Sequence, residues 1–132
     1  MGYGFDVICT KCGYKKTFLL GTGMMYGFLT EDLVKRHIRG KKMRSDIIDK
    51  ISIGYQPENF EHVLMQCPQC QSIYERFYIK FNEEQSYGYE TRYKCHKCKK
   101  ELQHIDENQI EKSKCPKCYE NSLEKVGFIL WD

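Results

Sequence analysis

The alternation of apolar and polar positions divides the chain into short strands with one helical interruption. Residues 3–8 and 14–20 alternate as two strands around a first turn, and residues 62–66 make a third. The clearest strand is 73–81, with Ile73, Glu75, Phe77, Ile79 and Phe81 on one face and Tyr74, Arg76, Tyr78 and Lys80 on the other. After a polar loop at 82–86, Tyr87, Tyr89, Thr91 and Tyr93 alternate with Gly88, Glu90, Arg92 and Lys94, which predicts a partner strand and hence a hairpin. Residues 101–105 and 123–131 read as two further strands around a loop at 106–111. Between 30 and 52 the period becomes helical. Thr30 is a suitable cap, Glu31 and Asp32 suit a first helical turn, and Leu33, Val34 and Ile38 form an apolar stripe. Gly40 ends or kinks this helix, and a second one at 45–52 places Ile47, Ile48 and Ile51 on one side. The glycine-rich stretch at 21–27 has GxGxxxG spacing, matches no phosphate-binding fingerprint, and reads as a turn.

The eight cysteines change this picture. All fall into CxxC pairs: Cys9 and Cys12, Cys67 and Cys70, Cys95 and Cys98, Cys115 and Cys118. A CxxC on a tight turn points two sulfurs the same way, and two such turns supply the four thiolates of a closed tetrahedral metal shell. Such a shell leaves no position for water or substrate, so the expected metal role is structural. CTKC and CHKC share a Lys before the second Cys, and CPQC and CPKC share a Pro after the first. This echo suggests two consecutive modules, Cys9/Cys12/Cys67/Cys70 and Cys95/Cys98/Cys115/Cys118, each holding one Zn²⁺. A cross-braced arrangement, first pair with third and second with fourth, is the competing reading.

On these residues the chain resembles the zinc ribbon family, closely over 95–118 and more loosely over 9–70, where 54 residues separate the first two pairs. The resemblance implies a mainly β (α+β) protein: a module at 1–72 with a helical insertion at about 30–52, a connecting β-hairpin at 73–94, and a second module at 95–132. It implies two zinc ions and says little of function. Rubredoxins also use paired CxxC turns, around iron. Their turns carry Gly after each pair, whereas here Gly13, Gln71, Lys99 and Tyr119 follow.

At 132 residues the chain can bury only a modest core, and bound metal is the natural supplement. No stretch approaches the roughly 20 apolar residues of a membrane span, and the first residues lack a signal-peptide pattern, so the expected location is cytoplasmic. A reducing compartment favours metal over disulfides. The formal net charge is +3; eight thiolates and two divalent ions subtract four, giving −1, so any argument for a polyanionic partner has to be local.

Two local features qualify. Lys35, Arg36, Arg39, Lys42 and Arg44 form the densest positive run, with Lys35, Arg39 and Lys42 on one surface if the helix continues through Gly40. Arg76, Tyr89, Arg92 and Tyr93 interleave cations with aromatics on the expected hairpin, as a single-stranded nucleic-acid platform would. The ordinary alternatives are a solvated helix face and sheet packing. His37, His62, His96 and His104 are expected at the surface, and the lysines beside the second pair of knuckles offset thiolate charge. No nucleophile with its base is evident, nor a small-molecule substrate site. The expectation is a non-enzymatic binding or adaptor protein that contacts protein or nucleic acid; iron electron transfer and a zinc-thiolate redox switch are the alternatives.

Overall fold

The computed structural model describes residues 2–22 and 28–131. The fold is mainly β, an antiparallel six-stranded sheet with a few short helices. Strand β1 (Gly2–Cys9) turns through the first CxxC into β2 (Lys15–Gly21). Helices α1 (Glu31–His37) and α2 (Lys41–Ser52) follow, then β3 (Asn59–Gln66), which turns through the second CxxC into β4 (Ile73–Lys80). After α3 (Glu83–Ser86) and the two-residue β5 (Gln103–His104), the chain ends in β6 (Leu123–Trp131). The order across the sheet is β4-β3-β2-β1-β6, with β5 beside β3. The two hairpins meet at the pair Gly21↔His62, and β6 runs antiparallel to β1 from Cys9↔Leu123 to Gly2↔Trp131.

Trp131 fastens that last pairing. Its indole nitrogen donates to the carbonyls of Tyr3 (3.1 Å) and Leu20 (3.0 Å), so one side chain spans β1 to reach β2. Gly2 makes room for the ring: a Cβ there would lie 2.1 Å from it.

The helical insertion covers one face of β4. Thr30 accepts from the Leu33 amide as the cap of α1, and Leu33, Val34, Ile38 and Ile47 pack with Phe77, Ile79 and Phe81. Gly40 is the N-cap of α2 rather than a kink, so α2 begins at Lys41 and not at 45. Lys42 therefore sits on a different helix from Lys35, and Arg39 between the two helices. The turn expected at 21–27 falls at 23–27 outside the described residues.

The expected hairpin at 73–94 forms only in part. Strand β4 pairs with β3, and the returning segment touches its free edge irregularly through the bridge Lys80↔Glu90. Phe81 N donates to Tyr89 O (2.8 Å) and Thr91 N to Ile79 O (3.0 Å). The Ile79 amide, however, donates to the Thr91 hydroxyl (3.1 Å). A buried side chain thus replaces a ladder carbonyl, and the tyrosine alternation never becomes a strand. The strand expected at 101–105 shrinks to β5. The loop expected at 106–111 is instead a 3-10 helix, Glu107–Lys112, capped by the Asp106 carboxylate and burying Ile110.

Thr91→Val removes the only hydroxyl that meets the buried Ile79 amide while keeping the side-chain volume. It is expected to destabilise the fold by about 1–3 kcal/mol in denaturant unfolding.

Candidate metal centres and a basic cleft

Each CxxC forms the same turn. The amide of the first Cys donates to the carbonyl five residues on: Tyr14, Ser72, Lys100 and Glu120 receive it at 2.8 to 3.0 Å. The residue after the second Cys donates back to the first Cys carbonyl, from Gly13, Gln71, Lys99 and Tyr119. All four of these followers have left-handed backbone, with φ of 78°, 63°, 61° and 63°. The missing glycines therefore do not prevent a rubredoxin-like turn, and this feature does not discriminate between zinc and iron. Within the turns the first sulfur also accepts backbone amides, for example Lys11 and Cys12 to Cys9 Sγ and Gln69 and Cys70 to Cys67 Sγ, all at 3.4 Å. Donors aimed at sulfur favour the thiolate.

The turns converge in two groups of four, and the grouping is nested. Cys9, Cys12, Cys115 and Cys118 form one group, and Cys67, Cys70, Cys95 and Cys98 the other, with all four sulfurs in each within 4.8 Å of one another. This corrects the sequential pairing expected from the sequence, and it is not the cross-braced one either. The cause is strand pairing. Because β6 lies against β1 with Cys9 opposite Leu123, the fourth turn, just ahead of β6, arrives beside the first. Because β5 pairs with Met65 and Gln66, the third turn arrives beside the second. Each group still combines one CxKC with one CPxC, so the motif echo was real but named the wrong partners.

The groups fit a tetrahedral metal. Sulfur separations of 3.6 Å join Cys9 to Cys118, Cys12 to Cys115 and Cys70 to Cys95. A Zn–S distance of about 2.3 Å gives a tetrahedral edge of about 3.8 Å, whereas a disulfide needs about 2.05 Å. Hydroxyls support the sulfurs: Ser122 Oγ lies 3.0 Å from Cys9 Sγ, Ser72 Oγ 3.2 Å from Cys70 Sγ, and Tyr74 Oη 3.4 Å from Cys95 Sγ. The Ser122 contact is the main cause that draws the Cys9 thiol down to about 6. Burial and the neighbouring Cys70 and Cys67 push Cys98 up to about 12. Four crowded thiols thus resist ionising together, and a divalent cation is what permits it. The two groups also touch through side chains. Gln66 Nε2 donates to Ser113 Oγ (2.6 Å), and Gln71 Oε1 accepts from the Lys114 amide (3.0 Å).

A second feature lies between the insertion and the sheet, a cleft of about 550 Å³ lined on one side by Arg36, Arg39 and Met43 and on the other by Arg76, Arg92, Lys94 and His96. Glu75 is its one acidic lining residue among the described residues. His62 Nδ1 lies 3.4 Å from Glu75 Oε1, and burial followed by the nearness of His37 lowers the His62 pKa to about 4. His62 is therefore neutral near pH 7, and the charge of the cleft comes from its five Arg and Lys residues. Among the described residues, Arg36, Arg39, Arg76 and Lys94 form no ion pair, whereas Arg92 is held by Glu90 (3.4 Å) and Glu101 (3.3 Å).

The expected partner-binding residues divide accordingly. Arg36, Arg39, Arg76, Arg92 and Tyr93 come together in this cleft. Lys42 and Tyr89 line an adjoining one. Lys35 is engaged with Glu31 on α1 (2.9 Å), and Arg44 donates to the Ile38 and Arg39 carbonyls, closing the end of α1. The tyrosines are largely packing. Tyr93 donates to Phe77 O, and Tyr89 lies against Phe81 and under Lys50. Lys94, one of the cations interleaved with the hairpin tyrosines in the sequence, also lines the cleft, whereas His37 and His62, expected at the surface, are half-buried there. The signal was faint: His62 is part of the strand alternation but opens no motif.

Comparisons of the chain with protein-family models, with curated proteins and with solved structures find no match. No helix among the described residues is long and apolar enough to cross a membrane.

The grouping yields a direct test. Native mass spectrometry is expected to show two metal ions per chain, one remaining in Cys9→Ser/Cys115→Ser, which damages one group twice. The pair Cys9→Ser/Cys67→Ser, which damages both groups, is expected to lose both ions. Sequential pairing gives the opposite pattern.

Proposed function

We propose that this protein is a zinc-stabilised, non-catalytic binding module that presents the basic cleft to an anionic partner, protein or nucleic acid. The two tetrathiolate groups, compatible with zinc-ribbon-like modules, would each hold one Zn²⁺. Four thiolates saturate such an ion, which supports a structural role and argues against substrate chemistry at the metal. A thiolate site also suits a reducing compartment such as the cytoplasm. In this reading the metal supplies folding energy and fixes the frame. Arg36, Arg39, Arg76 and Lys94 supply the contact surface.

The observation that carries the binding role is the ratio of charges at the cleft, five cations to one carboxylate among the described residues, from elements far apart in sequence. Four of the cations form no ion pair among the described residues, Arg76 being next to Glu75 and donating to its carbonyl (2.8 Å). Gathering like charges in a concave surface raises the local potential and favours an anion there.

The test is elemental analysis together with titration of a polyanion such as heparin. Two zinc per chain and binding that weakens with salt are expected, and Arg36→Glu/Arg39→Glu should weaken binding at least tenfold with the fold intact. Both substituted side chains are exposed, so retained metal and melting temperature check the fold. Iron with visible absorbance would instead favour electron transfer, and polyanion binding unaffected by the substitutions would remove the cleft from the function.

A further inference from the structure

We propose that the partner is single-stranded nucleic acid, with its phosphates in the basic cleft and a base stacked on Tyr87 in the adjoining one; this rests on the anion-binding reading above. The two clefts share Gly40, Met43 and Arg92, so a chain leaving the first around the start of α2 enters the second directly. The second measures about 710 Å³ and is lined by Lys41, Lys42, Asp46, Tyr87, Tyr89, Glu90 and Arg92. Its charges nearly balance. Beyond the start of α2 it is not a phosphate site, and what distinguishes it is an aromatic ring.

Tyr87 is 98% exposed and has φ of 53°. Its amide donates to Glu83 O (3.0 Å) and the Gly88 amide to Asn82 O (3.3 Å), which places Tyr87 at the left-handed position that closes a helix end. Glycine is the residue that position favours. A bulky ring there gains no packing to offset its backbone cost, and strain of this kind collects where a side chain has a task outside the fold. An exposed aromatic beside a cationic groove is how single strands are held: bases stack, and cations follow the backbone. An acidic peptide would use the arginines but has no need of the ring.

The corner between the clefts also favours a phosphate. Helix α2 starts at Gly40 with no side-chain cap and no acidic residue in its first turn, and Lys41 and Lys42 stand there instead. Cations at the positive end of a helix oppose its dipole, and a passing phosphate relieves both. Glu83 and Glu84, exposed on α3, would keep phosphates away from the far side, leaving Tyr87 to the base.

The experiment measures binding of a fluorescent oligouridylate of about 12 nucleotides, a length within the range such modules cover. The comparison ligands are a duplex of similar length, inorganic polyphosphate and poly-glutamate. Tyr87→Gly is the informative variant, because glycine suits the left-handed backbone and should keep or raise the melting temperature. It is expected to weaken oligonucleotide binding about 5- to 100-fold and leave polyphosphate binding unchanged. The duplex and poly-glutamate should bind at least tenfold more weakly than the single strand. Unchanged oligonucleotide affinity in Tyr87→Gly, or equal binding of duplex or poly-glutamate, overturns this inference while Arg36→Glu/Arg39→Glu can still support the anion cleft. If the Arg variant leaves every ligand bound as before, both readings fall.

Discussion

Everything in this structure depends on four sulfurs from distant parts of the chain meeting within 4.8 Å, twice. The outer group brings together residues as far apart as Cys9 and Cys118, 109 residues along the chain, and Cys12 and Cys115, 103 residues, each pair of sulfurs 3.6 Å apart. The inner group lies wholly between them in sequence. Bringing such distant groups together costs loop-closure entropy, and a cluster of thiolates repels itself. A divalent ion in each group would remove the repulsion. Structural zinc contributes on the order of 10–16 kcal/mol of apparent binding free energy, comparable to the entire net stability of a small domain, about 5–15 kcal/mol. Nesting also means that one ion would fasten the edge strand β6 to β1 and the other would fix the β3–β4 turn. The sheet would thereby be held at both ends.

The local structure was largely legible in the residues. The first two strands, the faces of 73–81, the Thr30 cap and the Leu33, Val34 and Ile38 stripe all appear, because each is decided by neighbours within a few positions. The eight cysteines, read as ligands, also gather in two groups of four. What could not be read was which turns meet. CTKC and CHKC are nearly interchangeable, as are CPQC and CPKC, and the choice is made by β6 lying on β1 and β5 on β3, pairings of high sequence separation. The tyrosine alternation at 87–93 misled for a related reason. Period-two spacing allows a strand, but the Thr91 hydroxyl takes the Ile79 amide and the ladder stops.

The cleft is a consequence of the same assembly. Arg36 and Arg39 lie in the insertion, Arg76 on β4, and Arg92 and Lys94 on the segment leading to the third CxxC turn. The basic run at 35–44 looked like a single surface, yet the break at Gly40 divides it, Glu31 engages Lys35, and Arg44 is spent on backbone carbonyls. The charges of the cleft meet where the 91–98 segment lies against β4, and Arg76 is held there by the Glu75 carbonyl (2.8 Å) and the face of Tyr74. The cysteine groups and the cleft are thus linked through geometry.

The most direct test is to replace the native metal with ¹¹³Cd and record through-bond correlations between each cadmium and the cysteine β-protons. The account predicts two cadmium signals, one coupled to Cys9, Cys12, Cys115 and Cys118 and the other to Cys67, Cys70, Cys95 and Cys98. A cadmium coupled to both Cys9 and Cys67, or a folded protein that takes up no metal at all, would contradict it.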